Sequence, residues 1–361
     1  MPEKRRKTGI KKGDFWKRIK TMADKEYKNA LLIFNPVAGD TRAMRILPKM
    51  IKSMTDSGYA CLVFTPTGDG IGTELVLKYG EGQDIIVCAG GDGTANEIIG
   101  GMMQLPAEKR PLLGYIPAGS TNDFGTTVGL KKTPKAAIQT VVSGVPTPID
   151  VGCFNGRYYA YVAAFGAFTD VAYTTGQNAK NTFGMMAYIM KGLSKINEIR
   201  PVRARFVFDG ETEIEDSFIF GSISNSKVLA GIIKLRPEWV DMNDGKFEVL
   251  LIKYPASAAE LSKTVNSITS MEFDSEDIFR LRASKIEVTC LDDTPMNWSL
   301  DGESEKGVRQ AEIRNMHSGI TIMLPKKTES GTKRIQNPKT GTKTGAKTGA
   351  KTEPKTEPKT K

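Results

Sequence analysis

Residues 84–101 read DIIVCAGGDGTANEIIGG, and the fold follows from them. Ile85, Ile86, Val87 and Cys88 form a short, unbroken apolar run, the pattern of a parallel strand covered on both faces. Gly90, Gly91 and Gly93 follow at once and permit a sharp turn whose amide N–H groups point at one spot. Thr94 is a candidate N-cap for the next helix, with Glu97 three residues on as in a capping box. Strand, glycine turn and helix N-terminus together predict an anion site, and phosphate is its usual occupant. On three glycines alone a plain strand-to-helix turn is an equal reading. Two further stretches favour the ligand site: NPVAG at 35–39, directly after the apolar run 31–34, and PAGSTNDFG at 117–125, directly after the run 112–116. Three strands that each end in a small-residue loop predict a ligand crevice at the strand C-termini of an open α/β sheet.

Outward from that stretch, strands are expected at 31–34, 61–64 and 112–116, with helices at 41–57, through Leu75, and at 133–143. Strand and helix alternate, which argues for a doubly wound parallel sheet. After Pro146 the pattern changes to strands in hairpin-like succession, at 149–154, 158–164, 202–208, 217–222, 247–252, 285–290 and 296–300. Helices are expected only near 183–196 and 258–268, and a last strand at 319–324. The fold class is therefore α/β plus all-β: an N-terminal parallel α/β sheet followed by a mainly antiparallel β domain.

The charge is unevenly placed. Residues 1–28 carry eleven Lys/Arg against four Asp/Glu and residues 326–361 eleven against three, so subtracting +7 and +8 from the formal +10 leaves −5 on the body. The basic character belongs to the two ends, and a nucleic-acid groove on the folded part is not indicated. Phe15, Trp16 and Ile19 interleave with Lys17, Arg18 and Lys20, which reads either as a solvated leader or as an interfacial anchor for anionic lipid. The KTGAKTGA and KTEPKTEP repeats hold almost no apolar residue; such a tail is expected to be disordered, with an electrostatic tether to anionic phospholipid as the alternative. Cys61, Cys88, Cys153 and Cys290 are far apart, which predicts reduced thiols with neither a zinc cluster nor a disulfide framework. No apolar run approaches a membrane span, so membrane contact is expected to be peripheral and the location cytoplasmic. His317 is the only histidine, and a His-dependent nucleophile system is not indicated. Any general base is expected to be a carboxylate.

NPVAG, GGDGTANE and PAGSTNDFG, in that order, resemble the diacylglycerol kinase catalytic family of bacterial lipid kinases, which also includes sphingosine and ceramide kinases. GGDGT alone also fits the NAD kinases, distant relatives; the third block favours lipid kinases. The likeness implies a nucleotide-binding domain over 29–146, a β-sandwich lipid and catalytic domain over 147–312, and a last strand within 313–325 that returns to the first domain. It implies ATP held by Asn35, Pro36, Val37, Ala38 and Gly39 on one side and by Gly90, Gly91, Asp92, Gly93, Thr94, Ala95 and Asn96 on the other. Thr65 and Ser120 are further nucleotide contacts by the same likeness, Ser120 standing where the family usually has Thr.

Asp92 and Asp123 are carboxylates beside a phosphate site, which suits a partly water-mediated Mg²⁺; for Asp123 a turn or helix cap is the plain alternative. In LDGE, residues 300–303, the family's DGE turn faces the nucleotide and carries the general base, so Glu303 matches that role with Asp301 as partner or competitor. Asp244, with the backbone carbonyls of Asp241 and Lys246, resembles the family's structural Mg²⁺ site; by residue type alone it is a solvated hairpin turn. The run LAGIIKLRP at 229–237 departs from the glycine-rich run of many members. The resulting expectation is an ATP- and Mg²⁺-dependent kinase that phosphorylates a lipid hydroxyl at a membrane surface, diacylglycerol first among acceptors. A kinase for a sphingoid base, a polyprenol or NAD, and a catalytically silent lipid or nucleotide binder, are the alternatives. Antiparallel edges leave a homodimer open.

Overall fold

The computed structural model describes residues 26–39, 41–131, 133–166, 200–229, 233–270, 272–273 and 275–326. The helix expected at 183–196, the leader through residue 25 and the tail after residue 326 lie outside the described residues.

The first half alternates β1 (Lys28–Phe34), α1 (Arg42–Asp56), β2 (Tyr59–Phe64), α2 (Ile71–Tyr79), β3 (Ile85–Gly90), α3 (Asp92–Gln104), β4 (Leu112–Pro117), α4 (Asp123–Thr127) and α5 (Pro134–Ser143). The four strands pair in parallel in the order β4-β3-β1-β2. Why β1 is apolar throughout is plain from its two faces. Leu31 and Ile33 pack with Val76 of α2 and Ile98 of α3, whereas Leu32 and Phe34 pack with Met50 of α1 and Val141 of α5. A strand buried on both faces cannot show a polar alternation.

The second half comprises β5 (Val145–Phe154), β6 (Arg157–Tyr159), β7 (Val162–Gly166), β8 (Val202–Phe208), β9 (Thr212–Ser224), the two-residue strands β10 (Val228–Leu229) and β11 (Ile233–Lys234), β12 (Phe247–Lys253), α6 (Ala258–Ser270), β13 (Ile278–Ala283), β14 (Lys285–Cys290), β15 (Met296–Leu300), β16 (Glu303–Val308) and β17 (Gln310–Leu324). It is an antiparallel β-sandwich. Its core is aromatic: Phe165 lies 4.8 Å from Trp298 and Phe206 meets Phe218 edge-on at 5.4 Å, and each such buried ring contributes roughly 2–3 kcal/mol.

The last strand joins the halves. The first part of β17 pairs with β14, its second part lies parallel to β4, and β5 runs beside it along both parts. A bulge between Met316 and Ile320, with Ser318 at φ 51°, turns it from one half to the other. An apolar seam reinforces the join, since Phe124, Tyr161, Phe220 and Leu250 share one buried cluster with Ile86 and Ile98.

Several features depart from the sequence reading. The strand expected at 158–164 is two strands, because the amides of Ala160 and Tyr161 turn aside to a carboxylate of the opposite loop. The strand expected at 319–324 begins at Gln310, its early residues pairing inside the sandwich. Neither β13 nor β16 is foreseen: β16 is ESEKGV, an edge strand with no apolar face to read. No helix of the described residues is long and apolar enough to cross a membrane.

Candidate active site

β1, β3 and β4 end side by side, with Phe34 opposite Ala89 and Gly90 opposite Pro117, so their three loops meet at one edge. Asn35 shapes the first loop: its Nδ2 donates to Thr94 Oγ1 at 3.0 Å and its Oδ1 accepts the Val37 amide at 3.1 Å. The second and third loops approach so closely that a Cβ on Gly119 would stand 2.5 Å from Gly91 Cα. Asn122, at φ 54°, locks the third loop by accepting the Gly119 amide and donating to the Gly119 carbonyl, both at 2.8 Å.

The capping box expected at Thr94 and Glu97 does not form. α3 begins earlier, at Asp92 with Gly91 as N-cap, and has no side-chain cap. Glu97 instead reaches the amides of Gly70 and Gly72, at 2.8 and 2.9 Å, where α2 opens. The first-turn amides of α3 therefore have no acceptor within the helix or from a cap and remain free for an anion.

These loops border a cleft of about 390 Å³ lined by Asn35, Gly39, Gly91, Thr94, Ser120 and Glu303, among others. Val37, Ala38 and Gly93 also face it, whereas Pro36, Thr65, Gly90, Asp92, Ala95 and Asn96 stand outside its lining. Pro66, Glu97 and Gly119 line it without having been singled out as contacts from sequence. Glu97 was readable only as a cap, because its partners on α2 are remote in sequence.

Across the cleft stands the turn between β15 and β16, where Asp301 and Glu303 behave differently. Asp301, at φ 51° and 5% exposed, is enclosed. Its Oδ1 accepts the amides of Tyr161 and Val162, each at 3.0 Å, and its Oδ2 accepts the Ala160 amide and Asn96 Nδ2, the latter at 2.7 Å. Burial pushes its pKa up to about 6 even against these four donors. Through Asn96 it fastens α3 to the sandwich. Glu303 points outward, 44% exposed, and a Cβ on Gly93 would lie 3.8 Å from its Oε1. Arg157 of β6 grips it with one nitrogen and Glu305 with the other, at 2.9 Å. Glu303 also borders a second cavity of about 280 Å³ with Thr73, Asn96, Gln104, Arg157 and Tyr158.

Asp92 is occupied as an acceptor. Its Oδ1 takes the Phe124 amide at 3.1 Å, and its Oδ2 takes the Asp123 amide at 3.1 Å and the Thr121 hydroxyl at 3.0 Å. The start of α4 thus compensates this charge, so proximity to Asp123 does not by itself demand a cation. Oxygen donors with remaining lone pairs still suit a water-mediated Mg²⁺. Among the described residues no three His, Cys, Asp or Glu side chains converge as a metal cluster.

The second acidic turn lies elsewhere on the sandwich. Asp241 Oδ1 accepts the Asn243 amide at 3.0 Å, Asp244 Oδ1 accepts the Lys246 amide at 3.1 Å, and Asp244 Oδ2 contacts Arg282 Nη2. Gly245, at φ 75°, donates its amide to the buried Asp150 at 2.7 Å. Asp150 also holds His317 Nδ1 at 2.9 Å and the Ser318 amide at 2.8 Å, so the lone histidine braces the β17 bulge. Close by, burial pushes Glu248 up to about 8.

Comparison with known proteins agrees with this arrangement. Residues 29–154 match the family described as diacylglycerol kinase catalytic domain, and residues 163–316 match the YegS C-terminal NAD kinase beta sandwich-like domain. The chain is 30% identical over 304 residues to a diacylglycerol kinase of Bacillus subtilis strain 168, covering 83% of this chain and 97% of that one. It is 31% identical over 302 residues to a diacylglycerol kinase of Staphylococcus saprophyticus, covering 82% and 96%. A solved structure of a diacylglycerol kinase from Bacillus anthracis superposes with TM-score 0.62 at 21% identity, covering 83% and 98%, and shares the fold. With its glycine cradle on an α/β sheet and its acidic turn on a β-sandwich, the chain belongs to the diacylglycerol kinase catalytic domain family.

Proposed function

We propose that this protein is an ATP-dependent lipid kinase that transfers the γ-phosphate to the hydroxyl of diacylglycerol, giving phosphatidic acid, with Glu303 as general base. The observation that carries this reading is the placement of the Glu303 carboxylate: it faces Gly93 across the cleft and borders the cavity beyond. A base so placed lies between a donor phosphate on the cradle and an acceptor entering from the sandwich side.

Phosphoryl transfer is mostly positioning and charge stabilisation. The α3 amides and the loops of Asn35 and Ser120 hold the triphosphate. Glu303 takes the acceptor's proton as its oxygen bonds to the γ-phosphorus and the bond to the β-phosphate oxygen breaks, releasing ADP. Arg157 directs the carboxylate, and Asp301, with all its acceptor positions enclosed, serves as a positioning residue. Asp92 and Asp123 would hold Mg²⁺ through water; the ion supplies charge neutralisation to the phosphates. The lipid meets the enzyme at a membrane surface, with the basic ends adding attraction to anionic phospholipid.

The test is transfer of labelled γ-phosphate from ATP to diacylglycerol, sphingosine, ceramide, undecaprenol and NAD in mixed micelles. Label on diacylglycerol is expected. Label on another lipid corrects the acceptor, and label on NAD alone overturns the reading.

A further inference from the structure

Arg157 lines the cavity beyond the cleft, and its partner Glu303 lines both spaces. Among the described residues no other Lys or Arg lines either one, whereas Asp69, Glu97 and Glu303 line both. Glu97 is already held by the amides of Gly70 and Gly72. An anionic ligand that enters between these acids therefore meets one side-chain cation, and it is Arg157.

That guanidinium is aimed and only partly used. Nη1 donates to Glu305 Oε2 at 2.9 Å and Nη2 donates to Glu303 Oε2. A guanidinium carries more N–H groups than these bonds consume; the Nε–H and one N–H on each terminal nitrogen have no partner among the described residues. The two acids stand on one face of β16, two residues apart, and the strand is fixed by pairing with Leu300 and the buried Trp298. Glu303 Oε1 meanwhile lies 3.8 Å from where a Cβ on Gly93 would stand, at the first turn of α3. One oxygen of this carboxylate faces the glycine cradle and the other faces Arg157, so the spare donors lie about a carboxylate's breadth from the cradle. A cation held in place by two acids reorganises little when charge develops beside it.

We propose that Arg157 is a catalytic residue as well as a guide for Glu303: its unused N–H groups bond the oxygens of the phosphoryl group as that group passes from the cradle to the acceptor. Glu305 is the positioning residue that aims them. The inference rests on the reading of the cleft as a phosphoryl-transfer site. The acceptor oxygen bonds to the γ-phosphorus, its proton passes to Glu303, and the bond to the β-phosphate oxygen breaks. Throughout, the charge on the moving phosphoryl oxygens lies between the α3 amides on one side and Arg157 on the other. A fork of N–H groups suits those oxygens better than the point charge of a lysine.

The experiment measures label transfer from ATP to diacylglycerol and the other acceptors of the mixed-micelle panel, with ATP affinity followed by calorimetry. The proteins are the wild type, Arg157→Met, Arg157→Lys, Glu305→Gln, Glu303→Gln and the double variant Glu303→Gln with Arg157→Met. Arg157→Met is expected to lower kcat by about 10²–10³-fold, with a much smaller loss of ATP affinity. Arg157→Lys is expected to recover part of that loss, and Glu305→Gln to lower kcat several-fold with ATP affinity kept. The double variant separates action on the phosphoryl group from action through Glu303 alone: it should turn over at least about tenfold more slowly than Glu303→Gln. Equal turnover in those two, or a kcat for Arg157→Met within about twofold of wild type, would overturn the inference and leave the kinase reading intact. A wild type that transfers label to no acceptor would remove the reaction and this inference together. Should Arg157→Met fail to fold, Arg157→Lys enters the same cycle in its place.

Discussion

The two walls of the cleft are made of different material. The α/β wall presents mostly backbone: glycines at van der Waals contact and the first-turn amides of α3, with loop shape fixed by the neutral side chains Asn35 and Asn122 and with Asp69 and Glu97 as its ionisable lining. The sandwich wall presents one ionisable side chain, Glu303, held at the surface by Arg157, while Asp301 lies buried behind it, enclosed by four donors. A backbone wall holds a multiply charged ligand with little side-chain rearrangement; of the two acids opposite, Asp301 fastens the halves together and Glu303 is the one proposed to move a proton. Within one three-residue turn, burial separates a fastener, Asp301, from an exposed carboxylate, Glu303, the base of the proposed reaction.

The largest effect is expected at Asp301. Asp301→Ala strands four donors and should destabilise the fold by about 3–5 kcal/mol in denaturant unfolding, with the two halves losing their common transition. A loss below about 1 kcal/mol would mean that Asp301 fastens nothing. Its titration sharpens the point. The folded pKa is raised to about 6 from 3.8, so the folded state takes up the proton first as pH falls. The contribution of Asp301 to stability is therefore most favourable below the unfolded value and is lost as pH rises through about 6. Unfolding free energies of wild type and Asp301→Asn should diverge over that window, and parallel curves would contradict it.

A smaller effect is expected on the backbone wall. Gly119→Ala forces a Cβ against Gly91 and should cost about 1–3 kcal/mol, with nucleotide affinity falling more than the fold suffers. Equal affinity in that variant would show that the contact of the two loops is not what binds phosphate. Smallest is Asn35→Ala, which removes the bond to Thr94 and the Asx turn at Val37 and should cost about 1 kcal/mol, seen as weaker nucleotide binding in calorimetry.

The backbone wall is also the part that sequence makes legible. Apolar runs ending in NPVAG, GGDGT and PAGSTND mark three strand ends and their loops, because glycine and asparagine act locally and leave a local signature. The sandwich wall depends on partners far apart in sequence: Asp301 on the amides of 160–162, Arg157 on Glu303, Glu97 on α2, Glu248 on Arg282. Nothing around residue 157 announces that its guanidinium will meet residues 303 and 305. For the same reason α3 reads as starting at Thr94 when its true cap is Gly91, since Glu97 looks like a local cap and is a tertiary one. The polar edge strand β16 had no apolar alternation to betray it.

The most direct test of the account is Glu303→Gln, measured for turnover with diacylglycerol and, separately, for ATP affinity by calorimetry. Turnover is expected to fall by about 10²–10⁴-fold with ATP affinity and unfolding midpoint close to wild type. Near-wild-type turnover would contradict the assignment of the base, and loss of ATP affinity in step with turnover would make Glu303 part of the nucleotide cradle instead.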